Sequence, residues 1–411
     1  MPDIKRRPFH ALGLLAALVL VLAGCGSSTA NVSHTKTLPF GVNTMLSGVD
    51  ADTGLQYEQG VKLAVHDINA KGGVQVGKAK YLLKPDVCDN QSLAPQAVQC
   101  GHLLAEQDHD NVMLVPLSSA ALALEGFNVH DQFVIIANAG ASNITTQGNP
   151  LIVQAFPSFV SPVPSFLDQV YQFTKAAHLP ASRVVAMEST EVIGAQFDDA
   201  VAAALPKHGA HLVKRVSVDI TATDFSSDVT QALQAQPNVM VLTESCLPAS
   251  QIMKEARSQG YTGSFFVYWG CDPELIAPAA GSADYHSVVG DLAWVESTPT
   301  ITAIKKEYAA KYHSAAGAGV GGGYADVQIY AAAIHKAGTV TNATTIRAAM
   351  NKAVKSANSN VYDITGFDSH GNSEMPVIPT TFYNGKVYVV TPSTTKAFLK
   401  DNPGYSQSTD G

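Results

Sequence analysis

The chain is predicted to be an α/β protein of two doubly wound parallel-sheet lobes, and three observations lead there. Short apolar runs alternate with stretches of helical spacing over most of the length. The alternation breaks at Phe156-Pro157-Ser158-Phe159-Val160-Ser161-Pro162, after about four strand–helix units, and a second series begins near Arg183. Beyond a leader and a polar stretch about 370 residues remain, enough for two domains of ordinary size. Strand alternating with helix indicates parallel sheets covered by helices on both faces. Two such lobes joined by more than one crossover fit the break better than one large sheet.

The elements follow in order. Lys5, Arg6 and Arg7 give a basic start, and residues 11–22 form an apolar run. That run suits a secretory h-region and is too short for a membrane span. Leu22-Ala23-Gly24-Cys25 comes next and resembles the bacterial lipobox, in which the thiol is acylated and the chain is cut just before it. The alternative is an ordinary secretory signal with a chance cysteine. The expectation is therefore a lipoprotein signal peptide over 1–24, lipidation at Cys25 and a flexible linker over 25–37. The mature chain would sit on the outer side of the bacterial cytoplasmic membrane, lipid-anchored, at a cell surface or in a periplasm. No other segment approaches the ~18 uninterrupted apolar residues of a span.

Apolar runs at 40–46, 81–84, 112–115, 133–137, 184–187, 239–242, 265–268 and 288–293 read as buried strands. Helical spacing occupies 57–69, 94–106, 166–177, 197–207, 225–235 and 249–259. The formal charge is −8, and residues 1–24 carry Lys5, Arg6 and Arg7 against Asp3, so the chain beyond them is more acidic still. An acidic surface without basic runs argues against nucleic acid and against anionic lipid as partners. The glycine-rich run at 317–323 lacks a preceding strand and the Lys-Ser/Thr pair of a phosphate loop. No Gly-x-Ser-x-Gly elbow and no assembled Ser/His/Asp arrangement is present. No catalytic residue, cofactor or metal is expected.

Setting Cys25 aside leaves Cys88, Cys100, Cys246 and Cys271. An even remainder in an exported protein suggests two bridges. Cys88 and Cys100 are close in sequence; Cys246 and Cys271 each follow an apolar run, and neighbouring parallel strands would bring those ends together. The pairing 88–100 and 246–271 is preferred to free thiols or another connectivity. Zinc is disfavoured because no CxxC pair accompanies them.

Lobes of this kind place ligands outside the carboxyl ends of their strands. The loop after 112–116 holds Ser118 and Ser119, and the loop after 133–137 holds Asn138, Ala139 and Ser142. In the second lobe the matching loops hold 188–193, 244–246 and 269–272. Hydroxyls at a helix start suit a carboxylate, although serine there also serves simply as a cap.

A resemblance now enters. Ser47-Gly48, Gly54 and the run Gly60-Val61-Lys62-Leu63-Ala64-Val65-His66-Asp67-Ile68-Asn69-Ala70-Lys71-Gly72-Gly73 resemble the N-terminal signature of branched-chain amino-acid-type solute-binding proteins, the receptors of ABC importers. Asp86-Val87-Cys88-Asp89, the helix 251–257 and Gly323-Tyr324-Ala325-Asp326-Val327-Gln328 with Lys336-Ala337-Gly338 match in the same order. The resemblance implies a type I periplasmic-binding fold with a three-crossover hinge and a cleft that closes on a small solute. Lobe 1 would comprise 38–157 and 297–359, lobe 2 158–296 and 360–395, with a polar tail over 396–411.

Carried over by position, Ser118 and Ser119 would hold a ligand carboxylate, with Asn138, Ala139 and Ser142 adding contacts. Departures stand beside these matches. Thr53 occupies a site where amino-acid binders often place an aromatic, Ile193-Gly194 replaces an aromatic-Gly pair, and the usual acidic partner of the ligand ammonium falls near Pro248. Glu244 or Glu191 is the available substitute, and Trp269 an aromatic cover. The expected function is an extracytoplasmic receptor of an ABC importer for a small polar solute such as an amino acid or related carboxylate or amide. Permease subunits are its expected partners, and a monomer is expected. A sensing lipoprotein and a surface hydrolase are the alternatives.

Overall fold

The computed structural model describes residues 35–406, except 220, 245, 270–272, 282–285, 296–297 and 356–360. Cys25, Cys271 and the expected crossovers at 296/297 and 359/360 therefore lie outside the described residues. Two mixed α/β lobes are present. The first is built on a six-stranded sheet of β1 (Thr35–Thr44), β2 (Val74–Val76), β3 (Ala79–Asp89), β4 (Val112–Val115), β5 (Val134–Ala137) and β6 (Ile152–Gln154), in the order β2-β3-β1-β4-β5-β6. Only the β2–β3 hairpin is antiparallel. β4 and β5 are wholly buried, as continuous apolar runs in a sheet covered on both faces must be.

The second lobe holds β7 (Arg183–Ser189), β8 (His211–Val218), β9 (Val239–Leu242), β10 (Ser264–Val267) and β11 (Ser287–Asp291). A two-stranded pairing, β12 (Gly366–Phe367) with β13 (Ser373–Glu374), stands apart. β14 (Ile378–Tyr383) and β15 (Lys386–Val389) complete the second sheet in the order β15-β14-β11-β10-β9-β7-β8. β14 and β15 join antiparallel; the rest is parallel. In each sheet strand order reverses beside the first strand of its series, between β1 and β4 and between β7 and β9. A crevice at the carboxyl ends of the strands follows from that reversal.

The helices that matter for the crevice are α1 (Ala51–Ala70), α2 (Ala94–His102), α3 (Ser118–Leu124), α4 (Val163–Ala176), α5 (Val192–Ala204), α6 (Cys246–Ser258) and α7 (Ala318–Ala337). α1 and α7 cross at backbone distance. A Cβ at Gly60 would lie 2.1 Å from the Val320 carbonyl oxygen, and one at Gly323 2.1 Å from that of Tyr57. Buried Asp326 of α7 accepts the Tyr57 hydroxyl at 2.5 Å and the Asn138 amide at 3.3 Å, tying α1, α7 and the end of β5 together. Tyr324 donates to Asp67 at 2.7 Å, so it packs the same helix pair.

Two expectations change. Thr35 to Thr37, placed in the flexible linker, pair with Lys80 to Leu82 as the start of β1. The stretch assigned as a polar tail folds into α8 (Thr395–Asp401) and continues to a fully buried Tyr405, whose hydroxyl pairs with Thr381 at 2.8 Å. Phe398 and Tyr405 are seven residues apart and both meet Phe173 of α4, so two aromatics anchor an otherwise polar segment. Before β14, Gly371 accepts the Gln154 amide at 2.8 Å, which holds that stretch against the first sheet. Cys88 and Cys100 form a disulfide between β3 and α2. Cys246 is also disulfide-bonded.

Buried carboxyl groups give the fold a pH signature. Burial pushes Asp110 and Asp198 up to about 8, and Glu125, Glu191 and Asp326 up to about 7. The unfolded chain ionises these groups near pH ~4. Between that value and their native ones the folded state holds protons that the unfolded state has released, so stability falls as pH rises through the window. His286, pushed down to about 4 by burial, and His208, lowered by burial, act oppositely but are outnumbered by the raised carboxyl groups, to which Asp50 and Glu244 also belong. The ligand-free melting temperature is expected to be higher near pH ~5 than near pH ~8. Scanning calorimetry with the opposite trend would contradict these burial assignments.

Candidate functional site

A cavity of about 220 Å³ lies where the strand ends of the two lobes meet. Typical small-molecule sites run ~300–1,000 Å³, so its occupant is small. The first lobe supplies Asp50, Gln56 and Tyr57 from the start of α1, Ser118 and Ser119 from α3, and Asn138 to Gly140 beyond β5. The second supplies Glu191 and Ile193 at α5, Tyr268 and Trp269 beyond β10, and Asp291 at the end of β11. Phe156 and Phe159, from the segment that broke the sequence rhythm, close one side, and Tyr362 another.

Each wall residue is held by its surroundings. Ser118 Oγ accepts the Ala141 N–H at 3.2 Å, fixing the β5 loop on α3. Gln56 Oε1 accepts the Gly317 N–H at 2.7 Å, and Asp291 Oδ1 that of Leu292 at 2.7 Å. Trp269 is 3 % exposed and packs on Phe166 and Phe197 at 5.6 and 5.2 Å between ring centres, and on Phe159 at 6.2 Å. Burial raises the Asp50 carboxyl to about 6, with Asp52 adding to it. Burial and then the Asp50 charge raise Glu191 to about 7. Tyr268 is pushed well up by burial and by the nearby Glu191 and Asp50.

Of the residues singled out in the sequence, Ser118, Ser119, Asn138, Ala139, Glu191 and Trp269 share this wall, as does Thr53. Ser142 and Glu244 stand off it. Ser142 is engaged across the lobes: its N–H and its hydroxyl both donate to Gln196 Oε1 of α5, each at 3.0 Å. Glu244 is fully buried beyond β9, and desolvation there favours its neutral form. Sequence reasoning missed Asp50, Gln56, Tyr57, Phe156, Phe159, Asp291 and Tyr362. Asp50 immediately precedes a helix that follows β1, the same strand-end signal that found Ser118, so it was within reach. Phe156 and Phe159 gave no such signal.

The Ser142–Gln196 contact spans the crevice. Gln196→Ala is expected to cost the closed arrangement about 1 kcal/mol, and so to weaken solute affinity roughly fivefold while barely changing the melting temperature. Calorimetric titration checks this; unchanged affinity would mean that the contact persists when the crevice opens.

Comparison with known proteins agrees with this geometry. The periplasmic binding protein family profile matches residues 37–378, and the chain belongs to that family. A protein of Pseudomonas aeruginosa named as an amino acid binding protein is 26% identical over 71% of this chain and 76% of its own length. The leucine binding protein of Thermotoga maritima superposes with a TM-score of 0.74 at 18% identity, covering 87% of this chain and 99% of that one. A solute binding protein of an ABC transporter from R. palustris, solved with benzoate, reaches 0.72 at 16% identity, over 87% and 95% of the two chains. The fold is the type I periplasmic-binding fold, and the protein is a solute-binding receptor.

Proposed function

We propose that this receptor serves an ABC importer on the outer side of the bacterial cytoplasmic membrane. It is anchored there by lipid on Cys25, and its lobes close on a small polar solute such as an amino acid or a related carboxylate or amide. One observation carries the reading: a cavity is walled by strand-end loops of both sheets. A solute touching both walls favours the closed form by its differential affinity for it. Ser118 and Ser119 are assigned to an oxygen-bearing end of the solute, Asn138 and Ala139 to backbone-level contacts, and Glu191 and Trp269 to the second-lobe side. Membrane permease subunits then read the closed face. The names of the relatives, which cover amino acids and benzoate, support a solute of this size.

A thermal-shift screen of the purified protein against small metabolites tests the reading, because a solute bound only by the folded form raises its melting temperature. The solute should be recovered chemically unchanged after denaturation. Conversion of it would replace the receptor by an enzyme. Mass spectrometry of the mature chain tests the anchor: a free thiol at residue 25, or cleavage elsewhere, would remove it.

A further inference from the structure

The cavity wall is rich in carboxyl groups. Asp50 and Glu191, from opposite lobes, and Asp291 at the end of β11 contribute three carboxyl groups, and among the described wall residues there is no lysine, arginine or histidine. These are not solvated surface acids. Asp50 is 8 % exposed and Asp291 2 %. Asp50 Oδ2 has no hydrogen-bond partner, and neither has the indole Nε1 of Trp269. Buried polar groups left without partners cost free energy; the Asp50 oxygen calls for a donor, whereas the Trp269 N–H is itself a donor and calls for an acceptor. Six aromatic side chains, Tyr57, Phe156, Phe159, Tyr268, Trp269 and Tyr362, complete the wall. Ring faces attract cations and offer anions nothing comparable.

We propose that the solute of this cavity is an organic cation, its charged nitrogen seated between Asp50 and Glu191 against the aromatic wall. The proposal rests on the receptor reading above and narrows it. Closure gathers the two carboxyl groups from opposite lobes, where each disfavours ionisation of the other. A positive charge between them removes that repulsion in the closed form alone, which is the differential affinity that closure needs. A zwitterion of no net charge leaves carboxyl groups unmatched, and a carboxylate without an amine adds to the repulsion. Two sources share the cationic nitrogen: an amino acid with a basic side chain, its carboxylate at Ser118 and Ser119, or a simple amine with an apolar body.

Calorimetric titration of the purified protein near neutral pH separates them. The panel is L-ornithine, L-lysine, phenethylamine and its trimethylammonium analogue, against L-leucine and benzoate. At least one cation is expected to bind about tenfold or more tightly than L-leucine and benzoate. Asp50→Asn and Glu191→Gln, which keep side-chain shape, are each expected to weaken that cation about tenfold. Binding by the basic amino acids alone assigns the first source, and binding by the amines alone the second. Tighter binding of L-leucine or benzoate than of every cation, or two folded variants that hold the cation as the parent does, overturns the charge assignment and leaves the receptor standing. Silence from the whole panel overturns the charge assignment, and the receptor reading stands or falls with the metabolite screen.

Discussion

Trp269→Ala is expected to lose about 3–5 kcal/mol of stability, and most of the solute affinity with it. The indole is buried and packs on Phe159, Phe166 and Phe197, which come from the segment between the lobes, from α4 and from α5. Removing it leaves a void that three separately rooted rings cannot fill together, because interiors relax only in part. The same ring forms the cavity wall beyond β10, so its loss also enlarges a space of only about 220 Å³. Thermal melting and calorimetric titration read the two effects separately. Trp269→Phe should recover much of the stability and less of the affinity, since it restores apolar packing without the full wall. An alanine variant with parental melting temperature and affinity would remove Trp269 from both roles.

Gly60→Ala is the second large effect, and its sign runs against helix propensity. Alanine in a helix interior ordinarily gains ~1 kcal/mol over glycine. Here its Cβ would lie 2.1 Å from the carbonyl oxygen of Val320, a backbone atom that no rotamer change can move away. The reciprocal contact at Gly323 with Tyr57 means that relief requires moving one whole helix off the other. A loss of roughly 3 kcal/mol is expected, as for other forced overpacking. Affinity should fall too, because α1 carries Gln56 and Tyr57 into the cavity wall while Asp326 of α7 holds the Tyr57 hydroxyl. Denaturant unfolding checks the first effect; a neutral or stabilised variant would show that the helices slide apart at little cost.

Much of the architecture was legible because it rests on period and composition. The runs at 112–115 and 239–242 coincide with β4 and β9, since strands buried on both faces are written as unbroken apolar stretches. Strands of other kinds escaped. β8 alternates exposed with half-buried positions through Lys214 and Arg215, and β6 is three residues long. Neither carries the unbroken run that marks a central strand. The strand-end rule located Ser118, Asn138, Glu191 and Trp269 on the wall, because position at a helix start is a local property. Ser142 sits in the same loop as Asn138 yet turns to Gln196, a choice made by a partner 54 residues away.

The order of residues alone therefore determined the two-lobed α/β plan, the strand ends at which the cavity lies and the Cys88–Cys100 pairing, because hydrophobic period, loop position and short cysteine spacing act over a few turns of chain. Which side chains share one cavity was decided only by the tertiary structure. Asp50, Phe159, Glu191, Asp291 and Tyr362 are far apart in sequence, and burial in a common low-dielectric space is what lets their charges and rings act together.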